Sequence, residues 1–303
     1  DDMAPEAVHR HIRHLAEAGL IVETTLYPEP ACAFKHALTQ EAAYEALPQG
    51  RRRHYHALTV AAIEALYPTR LAEHVEALAY HAGRGEVWDR LARYARIAGQ
   101  RAAAQSAYRA AAQHYEQAIV GFDHLEQTEA VVAESIRTRF ELRSALFPLG
   151  EIARDLTHLR RAETLAGGLT DPRLLAWVSA YMARDLALLG EPDKALTASE
   201  HALALSRPLG DLDLHILTRA SIGQANYALG NYARSVEALR ALLADIATVD
   251  RRQRFGFPLP GHVIFRAWLI WSLSRLGEID QARPVMAELL KIAAESDQPL
   301  AQT

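Results

Sequence analysis

The sequence predicts a mainly all-α chain: a right-handed α-solenoid preceded by a short segment that carries a small β-hairpin. Two observations predict it. Leu-Gly pairs recur at Leu149-Gly150, Leu189-Gly190, Leu229-Gly230 and Leu276-Gly277, so the glycines stand 40, 40 and 47 residues apart, a spacing that marks stacked helical units. After each glycine, small and apolar residues return on one helical face: Ala195, Ser199 and Ala202, then Ser235, Leu239 and Leu242, then Ala282, Met286 and Leu289.

Each unit has the same logic. A Gly after a helical run takes the left-handed conformation that satisfies the last carbonyls, so the chain reverses there. The next helix starts within a few residues, once with Pro192 in its first turn, where the missing N–H costs nothing. Seven residues before the turn, Ala183 and Gly223 are small enough to let two helices approach closely, whereas Arg143, Asp155 and Ile270 depart from the pattern. The array resembles the tetratricopeptide repeat (TPR), with helices a little longer than its unit of about 34 residues.

Composition agrees. Half of the 303 residues are hydrophobic and 7% aromatic, which suits many close-packed helices. The formal net charge is −4, so no overall basic field draws the chain to nucleic acid or an anionic membrane. Cys32 is alone, so no intrachain disulfide can form, and a reducing cytoplasm is the expected setting. No apolar run approaches a membrane span and no signal-like N-terminus is present. The first residue is not Met and the last ones read as the start of another repeat, so the chain is expected to be a piece of a longer protein.

In chain order, residues 5–18 read as a helix with Val8, Ile12 and Leu15 on one face and Gly19 as its stop. Leu20 to Leu26 alternates weakly, Tyr27-Pro28-Glu29-Pro30 turns, and Ala31 to Phe34 returns as a second strand. Helix, glycine, hairpin is the back half of a winged helix, and residues 1–47 are assigned to it. With His9, Arg10, His11, Arg13 and His14 on its helix it could read DNA, or it could serve intramolecular packing. The hairpin sets Glu23 and Glu29 against Lys35 alone, which argues against DNA. His9, His11 and His14 do not share a helical face, so they make no metal site.

The run from Phe34 to Leu47 is a strand ending in Lys35-His36, then a helix with Leu38, Ala42, Ala46 and Leu47 turned inward. It resembles the winged-helix end of signal-transducing ATPases with numerous domains. In that family a His at this junction faces the phosphates of the bound nucleotide in the closed state, and the resemblance gives that role to His36. An imidazole N–H beside a helix N-terminus offers a phosphate two kinds of donor. The other reading is a structural His that caps the hairpin.

Residues 48–125 read as irregular helical pairs that join this segment to the array at 126–303. Arg51-Arg52-Arg53 opens a helix with Tyr55, Leu58, Ala62 and Leu66 on its inner face. Leu71, Val75, Leu78 and Ala82 follow; Gly83-Arg84-Gly85 turns; Trp88 to Ala98 forms a helix stopped by Gly99; and Tyr108 to Phe122 forms another. The 47-residue interval holds an insertion from Asp250 to Gly261. With Arg251, Arg252, Arg254, Phe255 and Phe257 it could take an acidic or aromatic partner, or its rings could plug a gap between units.

Further segments carry the resemblance through nearly the whole chain: Leu146-Phe147-Pro148-Leu149-Gly150-Glu151, Trp177 to Tyr181, Arg254 to Pro260 and Arg266-Ala267-Trp268-Leu269. They are similar to large bacterial proteins that join a class III adenylate or guanylate cyclase to an ATPase and TPR repeats. The resemblance implies that cyclase and ATPase chemistry, with its ATP or ADP, belongs to upstream modules. No P-loop, nucleophile elbow or H-E-x-x-H run occurs in the sequence, so no catalytic residue, metal or resident cofactor is assigned here. The expected role is regulatory: a winged helix that closes on the nucleotide-bound ATPase in cis, and a TPR array holding a protein or small effector on its concave face, where Tyr181, Arg219 and Asn226 are the candidates. The alternative is a transcriptional regulator whose winged helix binds DNA and whose array senses an inducer.

Overall fold

The structure is a computed structural model that describes residues 4–25, 31–255, 257 and 260–295. These residues form fourteen α-helices and two short strands. The chain divides into two compact units, Asp1–Leu91 and Ala92–Thr303.

The first unit opens with α1 (Pro5–Glu17), then β1 (Ile21–Thr25) and β2 (Ala31–Phe34), which pair antiparallel with Ile21 opposite Phe34 and Glu23 opposite Cys32. The expected turn at 27–30 lies outside the described residues. Helix α2 (Ala37–Glu45) follows at once, but the inward face expected for it is not there: α2 buries no residue and Leu38 is 78% exposed. No described element covers its apolar row. What ties α2 down is polar, since Tyr44 Oη lies 3.0 Å from His56 Nε2 and the Arg52 guanidinium stacks over the Tyr44 ring at 5.1 Å.

Helices α3 (Gln49–Leu66) and α4 (Val75–Gly85) form the rest of this unit. The face of α3 also differs from expectation. His56 and Val60 are buried, while Tyr55, Leu58 and Leu66 are exposed, Leu66 at 71%. Both sides of α3 are apolar enough to serve, and α4 selects the side where helices can come close: a Cβ on Gly85 would stand 2.7 Å from the Ala57 nitrogen. Gly85 is therefore a contact glycine inside α4, and the turn expected at Gly83-Arg84-Gly85 falls instead at Glu86, which takes φ +54°. On the buried side His56 Nδ1 meets His81 Nδ1 at 2.8 Å, so one ring donates and the other accepts.

In the second unit ten helices follow as five pairs: α5 (Trp88–Ala104) with α6 (Tyr108–Asp123), α7 (Glu129–Leu146) with α8 (Ile152–Ala166), α9 (Arg173–Leu188) with α10 (Pro192–Ser206), α11 (Leu212–Ala228) with α12 (Tyr232–Asp245), and α13 (Gly261–Leu276) with α14 (Ile279–Glu295). The unit boundary lies within α5. From α6 to α14 consecutive helices pack on one another, and α11 also touches α9 and α13.

The corner inside each pair is one repeated object. Gly150, Gly190, Gly230 and Gly277 have φ between +71° and +78°. The next N–H reaches back five residues in every case: Glu151 to Leu146, Glu191 to Leu186, Asn231 to Asn226 and Glu278 to Leu273, at 2.8–3.1 Å. This is the helix-ending motif that satisfies orphan carbonyls through a left-handed residue. A Cβ on any of the four would meet nothing within 4 Å, so only backbone conformation requires glycine there. The first pair uses the same corner without glycine. Ser106 has φ +59° and Ala107 N–H donates to the Ala102 carbonyl at 2.9 Å. Gly99, expected to stop α5, lies inside it.

Crossings inside the pairs obey a second rule, set seven residues before the corner and five after it. Gly223 faces α12 so closely that a Cβ would stand 2.8 Å from Leu239 Cγ, and Ser235 Oγ donates to the Gly223 carbonyl at 2.8 Å. Gly99 meets the Tyr115 ring of α6 in the same way, at 2.7 Å. Ala183 and Ala195 are both fully buried at the matching positions of α9 and α10. Of the expected face on α14, Ala282 is buried but Met286 is exposed. The Phe residues of the insertion are buried: Phe257 meets the Phe265 ring of α13 edge-on at 5.3 Å, and Phe255 stacks on it at 6.5 Å.

Two outcomes follow. A left-handed conformation costs an L-residue about 1–2 kcal/mol relative to glycine, part of which glycine returns as chain entropy. Ser106→Gly should therefore stabilise the second unit by about 0.5–1 kcal/mol, and Gly230→Ala should destabilise it by about 1–2 kcal/mol, both read by urea denaturation. In the first unit, burial lowers the pKa of His56 and His81, and for His56 the neighbouring His81 and Arg84 add to the effect. A lowered native pKa gives stability that is present above about pH 6.5 and is lost as pH falls through the native value, so acid should loosen α2–α4. Amide-exchange protection across residues 37–85, relative to the intrinsic rate at each pH, should fall between pH 7 and 5 in the wild type and change less in His81→Phe.

Candidate interaction site

Two of the three departures in the repeat pattern, Arg143 and Asp155, meet in space. Arg143 stands seven residues before Gly150 and Asp155 five after it, positions held elsewhere by Gly, Ala or Ser, apart from Ile270 in the last pair. Here the small contact is replaced by an ion pair: Arg143 Nη1 hydrogen-bonds Asp155 Oδ2 and lies 2.9 Å from Asp185 Oδ1 of α9. Both aspartates are 0% exposed. Burial pushes the Asp185 carboxyl well above the usual carboxylate range; Arg143 opposes this shift and the adjacent Asp155 adds to it. One guanidinium thus holds α7, α8 and α9 together, with a proton on Asp185 easing the approach of two carboxyl groups.

Above this pair runs a row of rings and guanidiniums. The Trp177 and Tyr181 rings of α9 are 5.4 Å apart, and Phe140 of α7 meets Tyr181 edge-on at 5.1 Å. Arg143 lies 4.8 Å from the Tyr181 centroid and 5.6 Å from that of Phe147. Arg184 then lies 4.7 Å from Phe147 and 5.1 Å from Phe257, which the insertion delivers. Such stacking holds a guanidinium at a ring face. At the other end Trp177 Nε1 donates to Asp211 Oδ2 at 3.1 Å, and Asp211 caps α11 by accepting from Leu214 N–H.

Two adjoining grooves open along this row. One, of about 430 Å³, is lined by Phe140, Leu174, Trp177 and Tyr181 among others. The second, of about 370 Å³, is lined by Phe140, Arg143, Phe147, Tyr181, Arg184 and Phe257. Phe140 and Tyr181 belong to both, and α7 and α9 are the first helices of successive pairs.

The candidates read from the sequence are divided by the fold. Tyr181 and Phe257 come together in the second groove, and Phe255 packs on Phe265. Arg219 and Asn226 border a different groove between α10, α11 and α12. There Arg219 pairs with Asp245 at 3.2 Å, and Asn226 is buried with its Nδ2 donating to the Ile222 carbonyl. Arg251, Arg252 and Arg254 are exposed on the insertion. His36 is the cap residue of α2; its side chain is exposed and makes no helix-cap hydrogen bond. Phe140, Arg143, Phe147, Trp177 and Arg184 complete the site. Of these only Arg143 could have been found in the sequence as a site signal, as a charge at a position that elsewhere holds an uncharged residue.

No protein-family model and no curated protein matches the sequence. Solved structures do match in fold. RapI in its apo form aligns with TM-score 0.61 at 15% identity, over 86% of this chain and 70% of that one. BtubC from P. vanneervenii gives 0.57 at 14%, over 82% and 92%. The nearly identical TPR-like repeats of a kinesin light chain-like protein from Podosopora anserina give 0.52 at 17%, over 71% and 97%. The chain is therefore similar to TPR-like helical-repeat proteins, and the fold is TPR-like. No described helix is long and apolar enough to cross a membrane.

The buried ion pair makes a sharp contrast. Asp155→Ala leaves Arg143 buried beside a largely neutral carboxyl and should cost about 3–5 kcal/mol. Asp185→Asn keeps the neutral form and should change stability by less than about 1 kcal/mol at pH 7. Because the native pKa of Asp185 is raised, its contribution is full below about pH 4 and is lost as pH rises through the native value. Urea denaturation from pH 5 to 9 should show that decline in the wild type and a flatter profile in Asp185→Asn.

Proposed function

We propose that this chain is a non-catalytic regulatory region whose helical array holds a protein or peptide segment along the α7–α9 face. The observation that carries this is the continuous row from Trp177 to Phe257 over two grooves that share Phe140 and Tyr181. Each groove falls in the size range of ligand sites, and rings with a few placed polar groups are the usual lining of such sites. A Rap protein with this fold, at TM-score 0.53 and 16% identity, was crystallised in complex with Competence and Sporulation Factor, which supports a partner-binding role for the array.

The finer reading follows the resemblance of the N-terminal segment. α1 and the β1–β2 pair are the end of a winged helix that closes on an upstream ATPase module holding ATP or ADP, in a protein whose output is an adenylate or guanylate cyclase. His36 is the nucleotide-phosphate sensor; an exposed ring beside the α2 N-terminus supports that role. A partner on the array that prefers one arrangement of the ATPase shifts its equilibrium by its differential affinity, and by no more than that.

Peptide-library selection on the purified chain, scored against variants, tests the binding face. Enriched peptides should lose at least tenfold in affinity with Tyr181→Ala and keep it with Arg219→Ala, circular dichroism confirming both folds. Peptides indifferent to Tyr181→Ala and lost with Arg219→Ala would move the site to the α10–α12 groove and overturn this reading. In the full-length protein His36→Ala should weaken nucleotide retention, and unchanged retention would remove His36 from the site.

A further inference from the structure

Helix α14 keeps an exposed apolar face. At the junctions inside the array the second helix of one pair is covered by the first helix of the next; Ser235 Oγ of α12, for instance, lies 2.8 Å from Ser272 Oγ of α13. Counted from the corner glycine, Met286 of α14 stands where α12 has Leu239, and Leu290 where it has Leu243. Leu239 is fully buried, whereas Met286 is 41% and Leu290 60% exposed. With Ile279 they border a groove of about 380 Å³. This face also differs in kind from the covered ones. Six residues after the corner the array has Leu156, Leu196 and Val236, each packed in an apolar cluster, but α14 has Arg283, which is exposed. A further helix like α13 would bury that guanidinium among apolar side chains, which is costly without a paired charge.

We propose that this face pairs with the same face of a second copy of the chain, the two α14 helices running antiparallel across a two-fold axis. The sequence of α14 is self-complementary in that arrangement. Ile279, Arg283, Met286 and Leu290 follow one another at helical spacing along one stripe, and Asp280, Ala287 and Lys291 run along a single flank of it. With the axis between Val285 and Met286, each Met286 meets its own copy. Arg283 then lies beside the second copy's small Ala287, where its guanidinium can reach water at the flank. Asp280 and Lys291 stand equally far from the axis and about three turns apart, so each Asp280 faces the other copy's Lys291. Both are exposed, and neither is ion-paired with a described residue. Parallel pairing would set like charges against each other, so the flank selects the antiparallel one. A two-fold contact uses one patch twice, which is what a self-complementary helix face provides. One helix face per copy makes an interface of the small class, so the pair forms at concentrations on the order of tens of micromolar. None of the residues of the α7–α9 face takes part.

Sedimentation equilibrium on the whole chain, loaded from about 1 to 300 μM, should show a reversible monomer–dimer equilibrium. Leu290→Glu should weaken it at least tenfold. Asp280→Lys and Lys291→Asp should each weaken it about tenfold, since each sets like charges face to face at both ends of the contact. An equimolar mixture of these two variants should recover the wild-type affinity as a heterodimer, because every facing pair is then again of opposite sign. Recovery on mixing also shows that both variants are folded, and circular dichroism checks Leu290→Glu. A chain that stays monomeric throughout overturns the proposal. If that monomer instead binds a labelled peptide of the α11 sequence, Leu212 to Ala228, and loses it with Leu290→Glu, the face belongs to a further array helix. A dimer indifferent to Leu290→Glu forms on another face, and a dimer lost in both charge variants without recovery on mixing lacks the antiparallel register; either result overturns the proposal as well.

Discussion

The array depends on one steric constraint, the crossing point inside each helix pair. Seven residues before the corner and five after it, two helices come so close that their side chains must fit one small space. Gly99 admits a Tyr ring, Gly223 admits Leu239, and Ala183 and Ala195 fill their own crossing with two methyl groups. These are packing solutions of the kind that fails when a single carbon is added. Because each pair packs chiefly on its neighbours in sequence, the same crossing repeated along the chain is enough to build the array.

The α7–α8 pair solves the constraint differently, and the candidate site lies over that exception. Arg143 and Asp155 occupy the crossing with charge, which requires a third residue, Asp185, to come in from the next pair. A buried ion pair is seldom chosen for stability alone, since apolar residues of similar volume do as well. Here it places a guanidinium edge under a groove where aliphatic packing would have given only an apolar floor. The aromatic row beside it is built from two first helices and an insertion, elements far apart in sequence that meet at this crossing.

The two units are held by different means. In the second, the apolar crossings supply most of the adhesion. In the first, α2 buries nothing and is held by Tyr44 against a neutral His56, which passes the contact on to His81. A polar chain of this kind is sensitive to protonation in a way that the Gly223–Leu239 contact is not.

The sequence by itself determined the local reversals. Gly150, Gly190, Gly230 and Gly277 could be read as corners because only a residue without Cβ adopts that backbone freely, and the small residues after them marked the buried face of the second helix. Where the same corner is made by Glu86 or Ser106, no local signal exists and the reversal could not be seen. The glycines at 85 and 99 look like stops in sequence; whether a glycine turns a chain or admits a neighbour is decided by what packs against it. The burial of α2 and α3 was likewise undecidable from periodicity, since both have apolar residues on more than one side. Tertiary structure alone brought Arg143, Asp155 and Asp185 together and set Phe257 beside Arg184, because contacts between units depend on how successive pairs stack, a relation that no single helix encodes.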